Sequence, residues 1–361
     1  MDTITHTLSG ALVGRLFGRR EAAALPPDPW RPHLTPGQAV TAGALAAAFP
    51  DLDIIARLGG ELFYLANHRG ITHSLILAPL WALLIARLMQ LFWATTRHEP
   101  GGWKRFFLPV LAAIVVHILG DLITQFGTMV LAPFSDRRFG WGTTFIIDLG
   151  LSGILVAGLV ASGLWRRSRA PALLGTIAVV GWIGVSATGQ QEALAVARDH
   201  AQRQGIATVF VDAIARPASP FNWTALVYDG TAYHVAQINT RRQQRLTTGA
   251  DDNFLRRFSA PYLPIAEAEW RVVPRFGADA RQQEVARRVF ERPEFAFFRW
   301  FAQYPFLAAV NDEGGEQCAW FLDLRFETPG RETPFRYGLC QASGDEAWRL
   351  HRADGGGRRA L

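Results

Sequence analysis

The sequence predicts a mainly α-helical, polytopic membrane bundle over residues 1–191, followed by a soluble α+β extramembrane domain over residues 192–361. Three observations carry this. Four apolar runs of about 20 residues lie in the first half, the length a helix needs to cross about 30 Å of hydrocarbon. Charge is uneven: Met1–Gln191 carries 25 charged residues, and the shorter Glu192–Leu361 carries 43. The second half also breaks into short runs with turn chemistry between them, as in Tyr228-Asp229-Gly230-Thr231.

The four runs are Ser74–Ala94, Phe106–Phe126, Thr144–Trp165 and Ala172–Gly189, read as four long spans. Arg87 in the first can snorkel toward the nearer face, Asp148 interrupts the third near its start, and the fourth is uncharged. Two shorter apolar helices precede them, Ile4–Phe17 and Ala39–Phe49, which cross only if tilted or packed against the others. The arginines of the opening segment follow its apolar stretch, so a cleaved signal peptide is not expected.

After Gln191 a connecting helix is expected over Glu192–Arg203. Strands are expected at Thr208–Ala215, Trp223–Tyr228 and Tyr233–Ile238, a helix at Asp279–Glu291, and a meander through Cys318–Glu327, Phe335–Gln341 and Trp348–Arg352. The Gly355-Gly356-Gly357-Arg358-Arg359 tail reads as disordered.

A formal charge of +6 does not make the chain a nucleic-acid binder, and no nucleic-acid partner is expected; all but one of its 37 basic residues are arginine. Two cysteines without a CxxC spacing exclude a zinc ribbon or dithiol redox motif. A Cys318–Cys340 bridge stays open: a simple turn at Gly330-Arg331 would leave the two about three residues out of register, so bridging needs a bulge or a shifted register.

Orientation follows from the loop arginines. If successive segments alternate, one set of connections (Arg15 to Arg31, Arg97 to Arg105, Arg166 to Arg169) holds ten Lys/Arg, and the other (Arg57, Arg69, Arg137, Arg138) holds four. The positive-inside bias puts the richer set in the cytoplasm, and both the N-terminus and residues 192–361 outside. Trp93, Trp103 and Trp165 fall at the deduced cytoplasmic ends and Trp141 at the opposite one.

Imidazoles and carboxylates are costly at membrane depth, which makes the few in the apolar half informative. They are His6, Asp51, Asp53, His68, His73, His117, Asp121 and Asp148, with Arg69 among them. His117 and Asp121 are one helical turn apart on one face, a spacing that lets two side chains bind one metal. By alternation the whole set lies toward the outer face, with His117 and Asp121 roughly 14 and 8 Å below it at helical rise. Each has a plainer role: Asp51 can cap a helix, and His117 with Asp121 can be a structural hydrogen-bonded pair. His33, His98, His200, His234 and His351 read as solvated or hydrogen-bonded residues. Convergence of the rest from five segments favours a site. Imidazole and carboxylate without thiolate suit zinc, manganese or iron.

Thr5-His6, Phe49-Pro50-Asp51-Leu52-Asp53, His68-Arg69-Gly70-Ile71-Thr72-His73-Ser74, His117-Ile118-Leu119-Gly120-Asp121 and Pro133-Phe134-Ser135, in this order, resemble the inner-membrane-associated metal-dependent hydrolases of the YdjM/YbcI-like family, which includes a LexA-binding member. The likeness covers about residues 1–190. More distantly, the order His, Asp, His, HxxxD is similar to zinc-dependent phospholipase C and the S1/P1 nucleases. Those enzymes add a downstream HxxxE pair, where this chain has only Asp148. The resemblance implies a multi-pass protein of the bacterial inner membrane with a metal-dependent hydrolytic site.

The expected assignment has His6, Asp51, His73, His117 and Asp121 binding one or two divalent ions, zinc first and manganese second. Asp53 or His68 acts as orienter or general base, and Arg69 stabilises an anionic substrate through its planar fork. The partners expected are the lipid bilayer and a lipid or lipid-linked phosphoester; no protein partner is specified. Two other classes stay open: an ion transporter, which calls for midplane sites and repeat symmetry that the sequence does not display, and a non-enzymatic adaptor with a structural metal.

Overall fold

The computed structural model describes residues 1–19, 34–249, 251–313, 315–354 and 357–361. Two compact units emerge: Met1–Gly189 with Ala215–Pro220, and Gln190–Ile214 with Phe221–Leu361.

The first unit is helical. Helix α1 (Thr3–Arg15) begins where the Asp2 carboxylate accepts the Thr5 N–H. Helix α2 (Pro36–Ala48) begins in a capping box between Thr35 and Gln38, with proline at its first turn. A 3₁₀ stretch, Pro50–Gly59, continues from it, followed by the short α3 (Glu61–Asn67) and a single turn at Ile71–His73. Then come α4 (Ala78–Phe92), α5 (Lys104–Leu122), α6 (Leu149–Leu164) and α7 (Ala170–Arg203).

Contacts at the helix ends show alternation in direction. At one end Arg15 donates to the carbonyls of Arg166 and Ser168, Arg169 donates to that of Leu16, and Gln38 donates to Thr95. At the other, Thr5 hydroxyl meets Ser152 hydroxyl at 3.0 Å, and the N-terminus of α1 meets the C-terminus of α5 through His6 and Asp121. Helices α1 and α2 touch backbone to backbone: a Cβ on Gly43 would sit 2.1 Å from the Gly10 carbonyl oxygen, so only glycine fits there. Without that contact α1 could not carry His6 so close to α5. The core between α2, α4 and α5 is built from Ala42, Ala46, Ala82, Ala86, Val110 and Ile114.

The expectation of four long spans is met only in part. Among the described residues, three helical stretches are long and apolar enough to cross a membrane: Pro36–Gly59, Lys104–Leu122 and Ala170–Arg203. A fourth exists only if Glu61–His73 and Ala78–Phe92, which meet at 80°, count together. The Ser74–Ala94 run is shortened because Ser74 Oγ caps the Leu77 N–H and donates to the Ala132 carbonyl, holding residues 74–77 out of the helix. The Thr144–Trp165 run yields a helix of 16 residues, since the Asp148 carboxylate accepts the Leu151 N–H and sets the start at Leu149. The separate helix expected over Glu192–Arg203 is the continuation of α7, whose 34 residues include no proline after Pro171.

The second unit holds two sheets. Strands β1 (Phe210–Ala215), β2 (Asn222–Tyr228), β3 (Ala232–Asn239) and β4 (Leu263–Pro264) follow one another, and β5 (Trp270–Pro274) also pairs with β3. The Asp229-Gly230 hairpin joins β2 to β3, with Gly230 at φ 101°. Helices α8 (Phe254–Ser259), α9 (Ala280–Glu291) and α10 (Ala296–Phe301) lead into an antiparallel meander: β6 (Pro305–Glu313), β7 (Glu316–Asp323), β8 (Arg336–Ala342), β9 (Arg349–Asp354) and β10 (Gly357–Ala360). The sequence reading had three of these five strands. The expected disordered tail is corrected in part: Gly357–Ala360 pair with His351–Asp354, whereas Gly355 and Gly356 lie outside the described residues.

Cys318 and Cys340 lie directly opposite on β7 and β8 and are disulfide-bonded. The shifted register that bridging required is supplied by a long connection: a 3₁₀ turn at Leu324–Phe326 follows β7, and β8 begins only at Arg336.

Candidate metal centre

Every residue singled out in the apolar half except Asp148 gathers at the end of the bundle where α1 begins and α2 and α5 end. His6 is in the first turns of α1, and Asp51 and Asp53 open the 3₁₀ stretch after α2. His68 and Arg69 follow α3, His73 ends the turn before α4, and His117 and Asp121 occupy the last turns of α5. His6, His73, His117 and Asp121 are almost wholly buried. Asp148 instead caps α6 and accepts from the Trp182 indole at 3.1 Å.

Four donor atoms converge. His73 Nε2 lies 3.0 Å from His117 Nε2, 3.2 Å from Asp121 Oδ2 and 3.7 Å from Asp51 Oδ1. His117 Nε2 lies 3.6 Å from Asp121 Oδ2 and 3.7 Å from Asp51 Oδ1. A tetrahedron of ligands at 2.0–2.1 Å from a zinc ion has edges of about 3.3 Å, so these separations fit such a shell.

Hydrogen bonding behind the shell fixes which atoms face inward. His117 Nδ1 donates to the Ala47 carbonyl at 2.6 Å, leaving Nε2 as the lone-pair nitrogen. His73 Nδ1 is 3.0 Å from Thr72 Oγ1 and 3.6 Å from Asp53 Oδ2, which directs its Nε2 toward His117. Asp121 divides its two oxygens: Oδ1 accepts from His6 Nε2 at 3.0 Å, from the Arg69 guanidinium at 2.8 Å and from the Met1 amino group, while Oδ2 makes no hydrogen bond. Asp51 Oδ2 is likewise without a donor. Two imidazole nitrogens 3.0 Å apart beside the unpartnered Asp121 Oδ2 form an arrangement that a divalent cation would satisfy. The residues present therefore fit a divalent ion.

Beside the shell, Asp53 receives His68 Nδ1 at 3.0 Å and the Arg69 N–H at 2.9 Å. The His68 ring stacks on Tyr64 and lies edge-on to His73 with centroids 6.2 Å apart. Arg69 takes a left-handed φ of 60°, a conformation costly for a side-chain-bearing residue and maintained by these bonds. Its guanidinium is buried on Asp121 and Thr124 and lies over the Phe126 ring. The substrate-facing role expected for Arg69 therefore competes with its ion pair to Asp121. Similarly, His6 Nε2 is engaged by Asp121 Oδ1, and its ring stacks on His117 at 3.7 Å. His6, His117 and Asp121 nonetheless form a second group within ligand reach of one another.

The chain falls within known sequence space at this region. The pattern that describes the YdjM inner membrane protein family matches residues 1–193. The chain belongs to that family. The matched stretch contains all eight site residues, and together with the apolar helices it supports an inner-membrane location. Protein YfhP of Bacillus subtilis (strain 168) is 29% identical over 178 residues, which are 48% of this chain and 49% of YfhP. The chain thus spans about half the length of the curated relative it matches. No solved structure matches it.

Sequence reasoning had no way to find the Ala47 carbonyl, because a backbone acceptor has no residue-type signature. Thr72 and Thr124 went unread among ordinary polar residues, although Thr124 lies one helical turn beyond Asp121. The remaining histidines have local partners: His200 stacks on Trp270, His234 bonds Asp229, and His351 Nδ1 lies 3.0 Å from the Arg349 carbonyl. Burial raises the Asp229 carboxyl, but hydrogen bonds from His234 and from the Ala232 and Thr231 backbone outweigh it and hold it below the usual range. His98 is exposed, and His33 lies outside the described residues. Glu316, Cys340 and His351 also approach one another, but Cys340 is spent on the disulfide and Glu316 pairs with Arg358.

Proposed function

We propose that the helical unit is a metal-dependent hydrolase of phosphoesters, with Asp51, His73, His117 and Asp121 as the ligands of a divalent ion, zinc before manganese. The observation that supports this most is the pairing of two facing imidazole nitrogens with Asp121 Oδ2, which has no donor, and with Asp51 Oδ1 at 3.7 Å from each. A divalent ion held there supplies a Lewis acid and a more acidic water.

The chain's own residues do the rest. Asp53 fixes the His68 tautomer with the proton on Nδ1, leaving Nε2 to take a proton from water. Hydrolysis adds water across a P–O bond: the water oxygen ends on phosphorus and the departing alcohol gains a proton, which His68 is placed to relay. His6 and Arg69 act as positioning residues, engaging Asp121 Oδ1 so that Oδ2 would be left to hold a divalent ion. In this reading His6 serves Asp121 first and is a ligand only if a second ion is bound.

The test is hydrolysis by detergent-solubilised full-length protein, with and without Zn²⁺ or Mn²⁺, of phospholipids, lipid-linked diphosphates and simple phosphodiesters. Metal-dependent turnover of any of these is the expected result. Metal-replete protein inactive on all three would leave the site structural and the protein an adaptor.

The arginine asymmetry further supports an orientation with the metal-binding end and residues 192–361 outside. Thiol probes at Thr95→Cys are expected to react only from the cytoplasmic side and those at Gln244→Cys only from the outside; labelling of Gln244→Cys from the cytoplasm would reverse this orientation.

A further inference from the structure

The metal-binding end of the bundle is covered by a segment whose outer surface is apolar. In the 3₁₀ stretch Pro50–Gly59, Asp51 and Asp53 turn inward while Leu52, Ile54, Ile55 and Leu58 are exposed, Leu58 at 91% and Ile55 at 62%. Phe63 in α3 and Ile71 before His73 are exposed as well. In water so many exposed apolar side chains within one short segment are unfavourable, each losing about 1.5–3 kcal/mol relative to burial.

Helical rise places this segment below the membrane surface. Arg15, Lys104, Trp103 and Trp165 mark the opposite interface. From Arg15 to His6 α1 climbs about 14 Å, and from Lys104 to His117 α5 climbs about 20 Å. Against a hydrocarbon layer of about 30 Å, the ligand atoms stop roughly 10–16 Å short of the outer headgroups. The covering segment occupies that interval, and on the neighbouring helices α2 and α4 the apolar Leu45 and Leu80 are exposed too. Backbone at this depth must bond internally, as the 3₁₀ stretch does, with the Leu52 N–H on Phe49 and the Gly60 N–H on Arg57 carbonyls. Arg57, exposed and lying over the Tyr64 ring, has a side chain long enough to reach the headgroups.

We infer that Pro50–His73 is a re-entrant segment inserted in the outer leaflet, and that the metal centre receives its substrate sideways from the lipid phase, which makes the substrate a membrane lipid phosphoester. The chemistry rests on the hydrolase reading; the placement does not.

Because Cys318 and Cys340 are paired, Leu58→Cys offers a single reactive thiol among the described residues. A nitroxide there, in vesicles of phosphatidylethanolamine and phosphatidylglycerol, should collide more with oxygen than with a water-soluble nickel chelate, and a label at Gln244→Cys should do the reverse. Leu58→Glu should keep its metal and its rate on bis(p-nitrophenyl) phosphate within about twofold, while cleaving vesicle phospholipid at least about tenfold more slowly. A chelate-accessible Leu58 label, or an unchanged rate on vesicle lipid, overturns the inference and leaves the hydrolase reading standing. If the parent protein cleaves neither ester, the hydrolase reading and the lipid-substrate assignment fall together, and the collision measurement alone decides the placement.

Discussion

Asp121→Asn is expected to destabilise the helical unit by about 3–5 kcal/mol and to release its metal, the largest stability effect of any single substitution in the site. Arg69 is buried against Asp121, and in the variant it keeps its charge with no carboxylate in reach of its fork. The same change takes from the metal one of its anionic ligands. The two contributions separate in a double-mutant cycle: in metal-free protein Arg69→Met combined with Asp121→Asn should recover much of the loss, because the buried guanidinium is no longer left without its carboxylate. Thermal unfolding in detergent checks this. Equal destabilisation of the single and double variants would show that the pair is not the cause.

The second large effect is on rate. His68→Ala is expected to lower phosphoester hydrolysis by about 10²–10⁴-fold, the usual contribution of a general base, while leaving bound metal near the parent level. Asp53→Asn should fall in the same direction by a smaller factor, since the amide can accept the Arg69 N–H but no longer stabilises the tautomer and charge of His68. Arg69→Lys should weaken metal binding about 10–100-fold, as expected for a residue that orients a ligand. Unchanged metal affinity with a lowered rate in Arg69→Lys would instead return Arg69 to the substrate-facing role. Metal loss in His68→Ala would make His68 a ligand rather than a base.

The site was legible because charged residues are rare in this half of the chain, so each one that remains is conspicuous. His6, Asp51, His73, His117 and Asp121 could be grouped from their positions at the ends of alternating apolar runs. Division of labour inside the group was not legible. That Asp121 turns one oxygen to His6 and Arg69 and the other inward depends on α1 touching α2 at Gly10 and Gly43, a contact the sequence does not announce. Span lengths failed where polar side chains bond the backbone inside apolar runs, Ser74 ahead of α4 and Asp148 as the cap of α6. Hydropathy sees the run and not the cap. The connecting helix expected over Glu192–Arg203 is continuous with the preceding span for the opposite reason: charge density changes near Gln191, but no proline stops α7 there. Strands β6 and β10 were missed because neither alternates cleanly, and both gain their order from pairing with β7 and β9.

Metal content by elemental mass spectrometry, on full-length protein purified without chelator, tests the central claim most directly when parent, His117→Ala and His234→Ala are compared. A shell of Asp51, His73, His117 and Asp121 predicts about one equivalent of zinc or manganese in the parent and in His234→Ala, and less than about a tenth of that in His117→Ala. A fully occupied His117→Ala, or a parent that stays metal-free after incubation with either ion, would contradict it.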